Sequence, residues 1–121
     1  MYQIIELTPK LRVCHLSGDF DASAVSDHQL KDVFENLVSG WDGDIEVDLS
    51  DVHFMDSSGI GAIVFLFKRL NASARKLHLS GAVDQPLQLI EMLRLHKSIP
   101  MRPASYVSGT EVGQSAVRAE R

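Results

Sequence analysis

Around residue 57 the chain sets a carboxylate, two hydroxyls and small residues side by side, in the order Asp56, Ser57, Ser58, Gly59, Ile60, Gly61. A serine in such a run could act as a nucleophile, accept a phosphate or cap a helix. A nucleophile elbow needs a glycine two residues before the serine, and Met55 stands there instead. His53 is near in sequence, but nothing in the spacing ties it to the hydroxyl, so a serine hydrolase is disfavoured. Gly59 and Gly61 do not extend into a dinucleotide fingerprint, and no Lys-Ser or Lys-Thr phosphate loop accompanies them. The five histidines, His15, His28, His53, His78 and His96, lack ligand spacing and sit beside one cysteine, Cys14. No metal and no cofactor is implied. What remains is a helix start, where Asp56 or Ser57 supplies an acceptor to free backbone N–H groups.

That helix is strongly apolar. At about 100° per residue, Ile60, Ile63, Val64, Phe67 and Leu70 fall on one side and suit a sheet. Gly61, Ala62, Phe65, Lys68 and Arg69 fall on the other. Small Gly61 and Ala62 beside Phe65 make a low apolar surface next to the helix N-terminus, onto which another protein could lie closely. The structural alternative is that a loop or the C-terminal tail covers Phe65.

The elements around this stretch alternate between strand and helix. Tyr2 to Leu7 and Leu11 to Ser17 flank Thr8-Pro9-Lys10 as an opening hairpin. Gly18-Asp19-Phe20-Asp21 follows, and Asp21 is placed to cap a first helix over about Ala22 to Val38, with Val25, Leu30, Val33, Phe34 and Leu37 at helical spacing. Trp41-Asp42-Gly43 is turn chemistry, after which Ile45, Val47 and Leu49 alternate with Glu46 and Asp48 as a strand with one face on the core. The loops after Ser17 and Asp48 should bring Asp21 near Ser57, at the carboxyl ends of the strands. Lys76 to Leu79 reads as a short strand, Asp84 and Pro86 open a helix through Leu93, and Ser98 to Met101 suits a last strand. Ser108 and Glu111 have capping-box spacing for a final amphipathic helix ending near Arg118, in a stretch polar enough to be an unstructured tail. The sum is an α/β fold: a mixed sheet of four to five strands, parallel where helices cross over, with helices mainly on one face.

The run Asp48 to Val64, DLSDVHFMDSSGIGAIV, resembles the signature of STAS domains, and FMDSSGIG is similar to the anti-sigma factor antagonist branch of that family. The likeness extends over about residues 2 to 100, including Gly18-Asp19-Phe20-Asp21. It implies that Ser57 is phosphorylated by a cognate serine protein kinase that is also an anti-sigma factor. It further implies that Asp21, Asp56, Ser58 and Gly59 support that site, and that a metal-dependent serine phosphatase reverses the modification. The acidic residue matching the family's position near the serine is Asp21, while Asp19 replaces a more usual glutamate. A phosphate there would oppose docking over Gly61, Ala62 and Phe65, making modification an off-switch with no catalysis in this chain. Two other outputs remain open from sequence: a STAS subunit of a transporter or signalling scaffold, and a phospho-switch with a non-sigma output such as biofilm formation.

At 121 residues and 45% hydrophobic content, the chain reads as one domain, residues 1 to 121, with about 103 to 121 as the tail or final helix. A net charge of −4 and dispersed Lys and Arg disfavour nucleic acid and anionic membrane as partners. A single cysteine permits no internal disulfide, and neither a signal peptide nor a membrane-spanning run is evident, so the expected location is the cytoplasm.

Overall fold

The computed structural model describes residues 2–26, 28–105 and 116–117. Strands β1 (Tyr2–Thr8) and β2 (Leu11–Phe20) form the hairpin, followed by helices α1 (Ala22–Ser26) and α2 (His28–Val38). Then come β3 (Asp44–Met55), α3 (Ser57–Asn71), β4 (Leu77–Ser80), α4 (Asp84–Met92), a short 3-10 turn (Leu95–Lys97), β5 (Met101–Arg102) and β6 (Ala116–Val117). The strands make one sheet in the order β5-β4-β3-β2-β1-β6. The hairpin and the β1–β6 pair are antiparallel, and the rest is parallel. This is the mixed α/β sheet expected, with β6 added in the stretch read as a tail or final helix. The rest of that stretch beyond Ser105 lies outside the described residues.

Period-two alternation decides which side chains meet the helices. Ile4, Cys14, Val47 and Leu79 are opposite one another across four strands, all buried. They join Val33, Phe34 and Leu37 of α2, Ile60, Ile63, Leu66 and Leu70 of α3, and Ile90 of α4 in one core. Helices α2, α3 and α4 therefore pack on the same face. The next row, Ile5, Val13, Glu46 and His78, points to the other face, and it too is buried. The acidic residues that alternate along β3 are thus enclosed: Glu46 and Asp48 are both 0% exposed.

Both strands leading to residue 57 run further than the sequence suggested, β2 to Phe20 and β3 to Met55. The reason is bulging. His15 pairs with Asp48 but Ser17 with Asp51, and Gly18 pairs with Val52 but Asp19 with Phe54, so β3 carries an extra residue at each step. Leu49, Val52 and Met55 are then the buried positions, a spacing of three that hides the strand from a period-two reading. Gly18, at φ +89, supplies backbone that a side chain would strain at the second step. The first helix expected over Ala22 to Val38 is represented by α1 and α2 on either side of residue 27, which lies outside the described residues.

Candidate functional site

Phe20 pairs with Met55, so Asp21 and Asp56 leave the sheet as neighbours at the carboxyl ends of two parallel strands. Each aspartate starts a helix. The Asp21 carboxylate accepts the N–H of Ala24 at 3.2 Å, and its carbonyl accepts that of Val25 at 2.9 Å. Asp56, in extended backbone, is the cap of α3: its Oδ1 accepts the N–H groups of Ser58 at 2.9 Å and Gly59 at 3.2 Å. Its Oδ2 accepts the N–H of Ala22 at 3.1 Å, so one carboxylate ties the starts of α1 and α3 together. Strand pairing up to Phe20 and Met55, rather than loops after Ser17 and Asp48, sets Asp21 beside Asp56 at the serine end.

With Asp56 as the cap, Ser57 is the first residue of α3 and is exposed. Its hydroxyl makes no hydrogen bond among the described residues, and Ser58 contributes its backbone N–H to the cap. Gly59 is buried because the helix start lies against β2: a Cβ there would stand 2.3 Å from the Phe20 carbonyl oxygen. Gly61 differs, since a Cβ at that position meets nothing within 4 Å. Gly61 is exposed, Ala62 is partly so, and Phe65 is 51% exposed, with no described segment lying over it. Ile60, Ile63 and Leu70 are buried as the helical spacing predicts, Leu66 joins them, and Val64 and Phe67 are half-buried at the boundary.

The end of β3 has one further support. Gln85, in the first turn of α4, pairs with Met55 as a strand would: its Oε1 accepts the Met55 N–H and its Nε2 donates to the Met55 carbonyl, both at 2.9 Å. No sequence signal pointed to Gln85, because an amide that substitutes for a neighbouring strand has no pattern of its own.

Two buried polar clusters on the face away from the helices were equally invisible. His15 lies between carboxylates, Nδ1 3.0 Å from Asp48 and Nε2 2.8 Å from Asp51. The hydrogen bond to Asp48 raises the His15 pKa against the opposing effect of burial, and Asp51 adds to the rise. Asp48 is pushed up by burial, but His15 and the Ser50 N–H hold it below the usual carboxylate range. Beside it, Glu46 accepts from His78 at 2.9 Å, from the Ser80 hydroxyl at 2.6 Å and from the Ser105 N–H at 3.0 Å. Burial works against that carboxylate, yet these donors outweigh it and hold its pKa at about 2. Cys14 is pushed up to about 12 by burial and by Asp48, so its thiol stays protonated and unreactive. Among the described residues no cluster of ligating side chains suits a metal.

A STAS domain profile matches residues 2–106. The chain belongs to the STAS domain family. Among curated relatives, this STAS domain is 31% identical over 80 residues to the anti-sigma-B factor antagonist of Staphylococcus aureus, covering 66% of this chain and 72% of that one. The TM1081 protein of Thermotoga maritima has the same fold, with a TM-score of 0.72 at 19% identity over 87% of this chain and 86% of that one. So does the anti-sigma factor antagonist SpoIIAA in its unphosphorylated form, with a TM-score of 0.64 at 23% identity over 87% and 90% of the two chains. The Bacillus SpoIIAA in its phosphorylated form matches with a TM-score of 0.65 at 23% identity, over 87% and 92%. Among the described residues, no helix is long and apolar enough to cross a membrane.

Proposed function

We infer that this STAS domain is a partner-switching regulator of the anti-sigma factor antagonist kind. In its unphosphorylated form it binds a serine protein kinase that also acts as an anti-sigma factor, and phosphorylation of Ser57 abolishes that binding. The observation that carries this reading is the division of labour at the start of α3. The Asp56 carboxylate itself caps the Ser58 and Gly59 N–H groups, which leaves the exposed Ser57 hydroxyl without a capping task beside the open surface of Gly61, Ala62 and Phe65. The curated relative's role and the existence of a phosphorylated SpoIIAA support the same reading.

The mechanism is electrostatic. A phosphate on Ser57 adds about −1.5 to −2 charges at pH 7, next to Asp56 and close to Asp21. The positive end of the α3 dipole accommodates part of that charge, so the fold persists. A partner seated on Gly61, Ala62 and Phe65 would have to bury the new charge, and desolvation opposes that. The kinase brings the nucleotide, a metal-dependent serine phosphatase removes the phosphate, and this cytoplasmic chain catalyses nothing.

The test is peptide mass spectrometry of the protein from its native cells under changing growth and stress, followed by capture of partners with Ser57→Ala and Ser57→Asp. A kinase retained by Ser57→Ala and lost by Ser57→Asp is the expected result. Constant absence of phosphate, with identical partners for both variants, would replace the switch with a constitutive subunit.

A further inference from the structure

At the opposite end of the sheet from Ser57, where the parallel strands begin, a cleft of about 510 Å³ opens between the β1–β2 turn, the C-terminal end of α3 and the segments entering β4 and β5. Its size is that of a small-molecule site. Lys10, Arg75, Lys76 and Arg102 border it, and Asp44 is the one carboxylate in its lining. Four basic residues from three separate parts of the chain therefore border one cleft, in a protein whose net charge is −4. The Asp44 Oδ1 is already engaged, accepting the Lys76 backbone N–H at 3.1 Å. Lys10, Lys76 and Arg102 form no ion pair among the described residues. Arg75 is fixed rather than free, donating through Nη1 to the carbonyl oxygens of Val38 and Trp41.

The walls are of a different kind. Leu11, Phe67 and Pro100 line the same cleft, so apolar surface accompanies the basic residues. Charge alone would suit any anion, and apolar surface alone any ring. The two together select a molecule that carries both.

We propose that this cleft binds a small phosphorylated molecule, with its phosphate held by Lys10, Lys76 and Arg102 and a ring-sized apolar body lying on Leu11, Phe67 and Pro100. Phosphate is the anion of choice because a dianion with three acceptor oxygens can meet cations from several directions at once, and arginine can hold it bidentately. The site shares no residue with the proposed phosphorylation site, and it does not rest on that reading.

The test uses the full chain labelled with ¹⁵N and three probes: 1-naphthyl phosphate, 1-naphthoate and pyrophosphate. Saturable shifts of the Phe67, Lys76, Leu77 and Arg102 amides are expected with 1-naphthyl phosphate, with the Ser57 amide unmoved. Affinity should fall at least about tenfold for 1-naphthoate, which has one charge, and for pyrophosphate, which has no apolar body. Lys76→Glu and Arg102→Glu should each weaken 1-naphthyl phosphate by a similar factor, while Lys68→Glu on the exposed face of α3 should not. Thermal melts identify any variant that fails to fold, and Lys76→Gln then takes its place. Equal binding of the three probes, equal loss with Lys68→Glu, or shifts that never saturate would each overturn the proposal.

Discussion

Replacing Gly61 by alanine should raise the stability of the free protein and weaken its complex. Gly61 lies inside the 15-residue helix α3, is exposed, and has open space where a Cβ would stand. Glycine inside a helix costs about 1 kcal/mol relative to alanine, so Gly61→Ala should recover roughly that amount. With an unfolding entropy of about 2.1 cal/mol/K per residue over this chain, the melting temperature should rise by about 4 °C. The same methyl group projects from the surface on which the partner is proposed to lie. Overpacking a close contact costs about 1–3 kcal/mol, which weakens binding by about five- to a hundredfold. Gly59→Ala supplies the contrast, because its Cβ would stand 2.3 Å from the Phe20 carbonyl oxygen. That variant should melt below the wild type, since the start of α3 must move off β2. Circular dichroism melts and calorimetric titration with the captured kinase give the two readouts. Gly61→Ala that melts no higher would refute the helix argument. A more stable Gly61→Ala that binds the kinase undiminished would move the docking face elsewhere.

Asp56→Ala removes the acceptor of three backbone N–H groups and should cost about 1–2 kcal/mol in urea unfolding, with Asp56→Asn closer to wild type. Glu46, held at about 2 against an ordinary 4.5, contributes stability that is present above pH 4.5 and is lost as pH falls through 2. Its size is about 3 kcal/mol, and Glu46→Gln should flatten the acid side of a denaturation series measured against pH. His15 works in the other direction: its pKa is raised above 6.5, so its contribution is complete below that pH and is lost as pH rises through the folded value. His15→Gln should flatten the alkaline side of the same series. An unchanged slope on either side would show that the corresponding group does not change its protonation on unfolding.

How much of this was legible depended on whether the information was local. The start of α3 could be read because capping chemistry and helical periodicity are properties of a few adjacent residues. The choice between Asp56 and Ser57 as cap, however, needed the backbone angles. The hairpin, the turn at Trp41 and the order of strands and helices were equally local. The ends of β2 and β3 were not, because two bulges replaced alternation with a spacing of three that looks like loop. Glu46 and Asp48 looked like solvated residues opposite a buried face. Only strand register reveals that His78 stands beside one and His15 beside the other. Gln85 and β6 were hidden for the same reason, since each pairs with a backbone distant in the chain.

The enclosed carboxylates of β3 subject neighbouring positions of a single strand to different tests under mutation. Val47, facing the helices, sits where shape and volume decide, so isoleucine or leucine should often pass in a library of variants. Glu46, one residue away, sits where donors outnumber every other consideration. Its side chain must offer an acceptor to His78 and others to Ser80 and Ser105, and an apolar residue of the same size would leave those donors unanswered. Tolerance profiles along β3 should therefore alternate in kind, from a ranking by volume to a ranking by acceptor number, with a period of about two until the first bulge breaks the rhythm.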